Sequence, residues 1–303
     1  MRALILGIGG QDGSYLADIL LAKGYEVHGL YRRSSVNNLQ RIEHCLGSVH
    51  PHQGDLTEPN SLLRIIDDVQ PSLIFNEADQ DDIRWSYTLP SYAFDVTTKG
   101  VINLLEAVRH VDDRIKVFQP CSSSMYENSS YAIAPKSPYA IAKYAAYLIC
   151  THYRAVHGLR ITCGIMFNHD SPRRSSGYLL QEVCEQALAV ASGKQQHISL
   201  RYPGAFLDLG YAYDYMVDAV NLLEEAPPCD VQVCTGKPMT PRKLVQMAAD
   251  ILKTDLPINT TGVGAQPAPL VGDIGQLTDT LRKVSRIDTA LLVELVINKH
   301  RGL

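Results

Sequence analysis

The chain is 303 residues long and 46% apolar, with a formal net charge of −4, enough to bury a sizeable core in one large domain or two small ones. It has no basic stripe that would neutralise a phosphate backbone and no apolar run near the ~20 residues of a membrane span, which argues against nucleic acid and membrane partners. Cys45, Cys121, Cys150, Cys163, Cys184, Cys229 and Cys234 are odd in number and lack C-x-x-C pairs, so neither a zinc cluster nor a disulfide framework is expected, and most read as small core hydrophobes. Because the N-terminus is strand-like from its second residue rather than a charged leader, a cytoplasmic location is expected.

The first predicted strand, Ala3–Leu6, breaks into glycines at Gly7, Gly10 and Gly13 and then into a helix. Gly7 allows a sharp turn, Gly10 lets backbone approach a pyrophosphate, and Gly13 lets the helix pack close to the strand with its amides facing the phosphates. The G-x-x-G-x-x-G spacing differs by one residue from the simplest dinucleotide fingerprint. Asp12 and Ser14 also read as plain helix-capping groups. The second strand, Glu26–Leu30, runs on into YRRSS. An NAD-specific fold usually ends this strand with a carboxylate. Arg32, Arg33, Ser34 and Ser35 instead suit a 2′-phosphate, so NADP is expected ahead of NAD. A solvated basic loop or a subunit contact is the plainer alternative. Asp55-Leu56, after HQG, sits where such folds place an acidic group against the adenine amine, and also where a helix would be capped around Thr57.

Further strands are predicted at Leu73–Phe75, Val117–Gln119 and Ile161–Met166, separated by helical segments such as Asn60–Val69 and Val96–Val108. The alternation predicts an α/β, Rossmann-type doubly wound parallel sheet. From about Ser175 the rhythm loosens, leaving one strand and helix (Val231–Cys234, Pro241–Leu252) and a terminal helical segment. The expected division is an NAD(P)-binding domain over residues 1–174, with contributions from about 205–235, and a smaller, partly interleaved substrate-binding region over 175–303. Tyr139-Ala-Ile-Ala-Lys143 leads into a helix. Residues at i and i+4 share a face, so the ammonium is expected to lower the phenol pKa and touch a nicotinamide ribose. Such a phenolate is a general base toward a sugar hydroxyl whose carbon gives up hydride.

GIGGQDGSYLAD, GYEVHGLYRRSS, RIEH at Arg41–His44, GDLT at Gly54–Thr57, SPYAIAKYAAY and FNHDSPRR at Phe167–Arg174 together carry a resemblance. From residue 1 to about 220 the chain resembles the extended short-chain dehydrogenase/reductases that act on nucleotide sugars, most closely the GDP-mannose 4,6-dehydratase branch. The resemblance implies cofactor contacts at Gly7, Gly10, Gln11, Asp12, Arg32, Arg33, Ser34, Asp55, Leu56, Tyr92, Tyr139, Lys143, His169 and Arg174; Gly13 joins them by its place in the glycine turn, and Asn168, Arg201 and Tyr211 are expected toward the substrate. It also implies a nucleotide-sugar substrate and a homodimer or homotetramer in which the arginine loop reaches a neighbour.

Three departures stand out. Where the dehydratases read roughly S-T-S-E-L-Y, this chain reads CSSSMY. Ser122 can replace the threonine that bonds the sugar 4-oxygen, but Ser124 stands at the position of the glutamate that removes the C5 proton. Losing a general base commonly forfeits ~10²–10⁴ in rate, so epimerisation or ketoreduction at C4 is expected rather than dehydration. Dehydration with a relocated base, Glu127 included, and a non-catalytic binding protein are the alternatives. Second, NEADQDDI replaces a stretch close to N-L-G-A-Q-S-H-V. At ~6 Å and a dielectric of ~20, each unpaired carboxylate of Glu77, Asp79, Asp81 and Asp82 would oppose a phosphate charge by somewhat under ~3 kcal/mol. Either these groups turn outward or cofactor affinity suffers. Third, Leu207-Asp208-Leu209-Gly210-Tyr211 replaces R-D-W-G-H; the lost arginine in that family holds the nucleotide diphosphate, so either a GDP-sugar is not the ligand or Arg201 or Arg174 compensates.

Other residues read more plainly. His28, His44, His50, His52 and His110 lack metal-ligand spacing and are expected to be structural, with no metal site. Trp85, the one tryptophan, is expected to pack. Tyr211, Tyr213 and Tyr215 alternate, which suits either a sugar pocket or a half-buried tyrosine-rich strand or turn.

Overall fold

The computed structural model describes residues 1–262, 264 and 267–303. The chain opens with β1 (Arg2–Leu6), α1 (Gln11–Ala22) and β2 (Glu26–Tyr31); a 3-10 segment over Gln40–Ser48 leads to β3 (Val49–Gln53), α2 (Pro59–Val69) and β4 (Leu73–Asn76). Short helices α3 (Ile83–Thr88) and α4 (Pro90–Phe94) precede a π-helical turn over Asp95–Lys99, α5 (Gly100–Val111), β5 (Lys116–Ser122), α6 (Pro138–His157) and β6 (Arg160–Met166). The remainder runs β7 (Asn168–Asp170), α7 (Leu179–Ala191), β8 (Ile198–Leu200), β9 (Leu207–Tyr211), α8 (Ala212–Glu225), β10 (Asp230–Val233), β11 (Pro238–Met239), α9 (Pro241–Leu252), β12 (Ile258–Thr260), α10 (Gly275–Thr280) and α11 (Thr289–Arg301).

A seven-stranded sheet in the order β10-β6-β5-β4-β1-β2-β3 forms the centre, and its registered pairs are all parallel. Both faces are covered, so the inner strands are apolar without alternation: Ala3, Leu4, Ile5 and Leu6 are all fully buried. One face packs on α1, α8 and α10, the other on α2, α5 and α6. A third core joins α7, α9 and α11 over β8 and the chain of β9. The main helices start where local chemistry allows. Ser137 Oγ accepts the Ala140 N–H at 3.1 Å with Pro138 in the first turn of α6, and Gly158 ends that helix at φ 69°. The strand order reverses around β1, whose neighbours are β2 and β4, and a ligand crevice is expected at that switch point, beyond the carboxyl ends of the strands.

The predicted strands and helices recur, with one local difference. The segment expected as a single helix from Val96 begins as a π turn before α5 takes over. In that turn the Thr98 hydroxyl donates to the Ala142 carbonyl at 3.0 Å, and the Thr97 hydroxyl donates to Asp79. Two tertiary partners thus hold a geometry that propensity alone would not choose. Among the described residues, no helix is long and apolar enough to cross a membrane.

Candidate active site

The first β–α turn is built by close approach. Gly7 holds φ 79°, and a Cβ there would lie 2.6 Å from the Glu77 carbonyl oxygen. A Cβ on Gly13 would overlap the Gly7 carbonyl, and one on Gly9, which the spacing argument passed over, would overlap that of Asn38. Gly10 is the N-cap of α1 and has no side-chain cap, so the first amides of α1 face the cleft. Asp12 and Ser14 are not caps. Asp12 Oδ2 pairs with His169 Nε2 at 3.0 Å, and Ser14 Oγ donates to the Gln11 carbonyl at 2.7 Å. Gln11 is buried; its amide nitrogen donates to Asp12 Oδ1, and its carbonyl oxygen accepts from Ser171 Oγ at 2.8 Å. These bonds bolt the segment after β7 to the head of α1. Ser171 and Gln181, which donates to Asp170 at 2.6 Å, carry no sequence signal for this role.

Beyond the turn lies a cleft of about 640 Å³, lined among others by Gly10, Asp12, Glu77, Asp79, Ser122, Ser124, Tyr139, Lys143, Asn168, His169 and Arg174. β5 delivers Ser122 and the following turn Ser124, and the two hydroxyls lie 2.8 Å apart. Ser122 and Tyr139 line the same cleft, where the Ser122 hydroxyl favours the Tyr139 phenolate. Lys143, one turn further along α6, places Nζ 5.9 Å from the Tyr139 ring centroid and donates to the Pro120 carbonyl at 2.9 Å. The expected acid–base group is therefore assembled, but its electrostatics differ from expectation. Burial raises the Tyr139 pKa; Lys143 and the Ser122 hydroxyl lower it only in part, and Asp79 and Asp81 add to the rise. The net shift is upward, not downward.

The reason is the acidic stretch. Glu77 and Asp79 do not turn outward but line the cleft. Asp79 is ion-paired with Lys143 and also accepts from Thr97 and from the Gln80 amide at 2.7 Å. Burial opposes the Lys143 charge, yet Asp79 and Tyr139 outweigh it and hold its pKa well above the ordinary lysine range. Glu77 lies beside Asp12, with Oε1 buried and unpartnered. Desolvation first, and the Asp12 charge second, push its pKa up to about 8. Asp81 pairs with Arg174 at 3.1 Å, while Asp82, also at the cleft wall, caps α3 by accepting from the Arg84 and Trp85 amides. At the phosphate end, burial opposes ionisation of both Asp12 and His169, but their mutual attraction prevails: Asp12 falls below the carboxylate range and His169 rises above the imidazole range.

The other candidates divide. Arg174 lies in the cleft with its guanidinium carbon 3.6 Å from the Tyr178 ring centroid, a partner not foreseen. Arg32 and Tyr92 meet, Nη1 donating to the phenol oxygen at 2.6 Å, and Arg33 and Ser34 are exposed on the same loop. Asp55 Oδ1 accepts from the Thr57 N–H and hydroxyl at 2.9 and 2.7 Å, shaping a turn, while Glu58 caps α2 and Leu56 is buried under Gly100. Arg201 and Tyr211 lie outside the cleft lining. Arg201 sits over Tyr202, and Tyr211 packs edge-on to Tyr15; Tyr211 ends β9 while Tyr213 and the fully buried Tyr215 lie in α8, so the expected tyrosine alternation does not run along one strand or turn, and none of the three lines the cleft. Leu207 lines the cleft, and its neighbour Asp208 is buried, accepting from the Thr235, Gly236 and Gly272 amides. Glu127 pairs with Lys136 outside the cleft lining. Trp85, expected to pack, is 59% exposed. Sequence spacing carries no sign of one pairing across strands. His28 stacks on His50, and Glu26, His28 and His50 bring their ligand atoms within 4.8 Å, as do Asp18, His44 and Cys45.

A parallel sheet entered through a glycine turn, with a Tyr-x-x-x-Lys helix beside the switch point and a third, smaller core whose Leu180 and Leu209 reach the cleft, is the frame of an extended short-chain dehydrogenase/reductase. The family model described as GDP-mannose 4,6 dehydratase matches residues 4–273, and the chain belongs to that family. It is 35% identical over 302 residues to the GDP-mannose 4,6-dehydratase of Yersinia enterocolitica, covering 94% of this chain and 81% of that one. Solved structures extend the likeness in fold. UDP-glucose 4-epimerase of Thermus thermophilus with NAD superposes with a TM-score of 0.85 at 22% identity, covering 100% of this chain and 99% of the other. RMD of Pseudomonas aeruginosa with NADPH gives 0.82 at 19% identity, with coverage of 100% and 99%.

Proposed function

We propose that the chain is an NAD(P)-dependent enzyme that exchanges hydride at C4 of a nucleotide-linked, GDP-hexose-like sugar, with net epimerisation or ketoreduction rather than loss of water. The observation that carries this is the joining of Ser122, Tyr139 and Lys143 in one cleft while Ser124, at the eliminating position, offers only a hydroxyl tied to Ser122.

A dinucleotide suits the residues present. The glycines leave no Cβ between the chain and a diphosphate, the α1 amides face it, and the charges around it are compensated: Asp12 by His169, Asp79 by Lys143, Asp81 by Arg174. Glu77, with its pKa at about 8, is mostly neutral at pH 7. Arg32, Arg33 and Ser34 support NADP ahead of NAD. When bound, the nicotinamide supplies the acceptor and donor of hydride. The protein's part is proton handling and alignment. Tyr139 Oη takes the proton of the sugar 4-hydroxyl as C4 is oxidised and returns it on reduction, Ser122 aligns the 4-oxygen, and Lys143 stabilises the phenolate. The cluster of α7, α9 and α11 supports a substrate-binding role for the C-terminal part. Ile102, Ile141 and Leu148 are exposed on the adjoining helices α5 and α6, which favours a homodimer or homotetramer, and a cytoplasmic location fits such an enzyme.

Dehydration is the second reading, favoured by the family itself. Two incubations separate the readings: GDP-mannose with NADP+, and its 4-keto-6-deoxy derivative with NADPH. The proposal expects a C4 epimer in the first or NADPH oxidation in the second. A protein that binds neither NADPH nor NADH in a fluorescence titration would instead be non-catalytic.

A further inference from the structure

The strongest feature outside the expected machinery is the partner of Lys143. Asp79 sits just past β4 and is fixed by three groups: the Gln80 amide, the Thr97 hydroxyl and the Lys143 ammonium. Thr97 reaches it because the chain makes a π turn there. The next residue, Thr98, ties the same turn to the Ala142 carbonyl, one residue before Lys143. The side chains of Asp79 and Lys143 are 12% and 6% exposed, so water screens the pair little. Lys143 also spends a hydrogen on the Pro120 carbonyl, leaving one of its three donors for anything else.

We infer that Asp79 is a positioning residue: held by the π turn, it clamps Lys143 against Pro120, so that a dinucleotide gains the ammonium only when that pair opens. The inference rests on the hydride-exchange reading and adds a restraint to it. The clamp also weighs on the base. The charged and titratable groups facing Tyr139 are Lys143 on its own helix and Asp79 and Asp81 from the segment after β4, with the Ser122 hydroxyl from β5. Those facing Lys143 are Asp79 and Glu77 from the segment after β4, Tyr139 on its own helix and Cys121 from β5. Withdrawing the Asp79 charge removes the main opponent of the phenolate other than burial.

Two variants test this in the full-length protein. Asp79→Asn keeps an acceptor for Thr97 and the Gln80 amide but loses the charge. Thr97→Val leaves every charge in place and removes one support of the clamp. In fluorescence titrations, Asp79→Asn is expected to bind NADPH or NADH about tenfold more tightly, with Thr97→Val moving the same way by a smaller factor. The acid limb of the pH profile for C4 turnover is expected to move to lower pH by about one unit in Asp79→Asn. Unchanged or weaker binding in a folded Asp79→Asn overturns the inference while leaving the hydride reading standing. So does tightening in Asp79→Asn with none in Thr97→Val, which would mean plain repulsion, or a lowered melting temperature with an unmoved acid limb, which would mean a structural role only. If the wild-type protein and both variants bind no dinucleotide, the hydride reading falls and the clamp with it.

Discussion

The two ends of the cleft follow opposite rules. At the α1 end, recognition is made of backbone: glycines with no room for a Cβ, free amides, and side chains such as Gln11 and Ser171 that pair with one another. At the α6 end it is made of ionisable side chains packed closely enough to control one another, with Asp79, Lys143 and Tyr139 in one group. A backbone site tolerates little change in shape, and at this end pH acts only through the Asp12–His169 pair and Glu77 beside it. A side-chain site tolerates substitution of shape but answers to every charge. Variants at the two ends should therefore fail differently.

The largest effect is expected from Tyr139→Phe, which removes the proton acceptor and little else. Turnover at C4 should fall by about 10²–10⁴, while titrated dinucleotide affinity stays near that of the wild type. Gly13→Ala comes next and fails through geometry. Its methyl would overlap the Gly7 carbonyl, so denaturant unfolding should show a loss of about 1–3 kcal/mol, together with weakened dinucleotide binding at every pH.

Glu77→Gln should change the pH response more than the fold. The folded-state pKa of Glu77 is raised from 4.5 to about 8, so the folded state holds the proton more tightly than the unfolded chain. Its contribution to stability is fully present below about pH 4.5 and is lost as pH rises through about 8. Urea midpoints should therefore fall between pH 6 and pH 9 in the wild-type protein and fall less in Glu77→Gln. Arg32→Ala is expected to have the smallest effect, weakening NADPH binding severalfold and NADH binding hardly at all; equal losses for both would remove the 2′-phosphate role.

Much of the backbone end was legible in the sequence, because a β–α turn needing positive φ and close packing accepts few residue types, and Gly7 and Gly13 stand where that geometry requires them. Gly9 was not legible, since its constraint is the Asn38 carbonyl, distant in sequence. At the other end the identities were readable but their consequences were not. Tyr139 and Lys143 announce themselves by spacing, and the acidic run was visible, yet the direction of each carboxylate depends on tertiary partners. Asp79 turns inward because Thr97 in the π turn and Lys143 both reach it, and Asp82 is held at the cleft wall by capping α3. The same limit explains Tyr211, whose alternation fits a pocket but whose ring finds Tyr15, and Arg201, whose charge suits a diphosphate but which lies away from the cleft lining.

The central claim is C4 redox chemistry without elimination, and GDP-mannose incubated with the protein and NADP+ in deuterated water tests it most directly, with the sugar nucleotide read by mass. The account expects no species lighter by one water and no deuterium at C5. A 4-keto-6-deoxy product carrying solvent deuterium at C5 would contradict it and return the chain to the dehydratases.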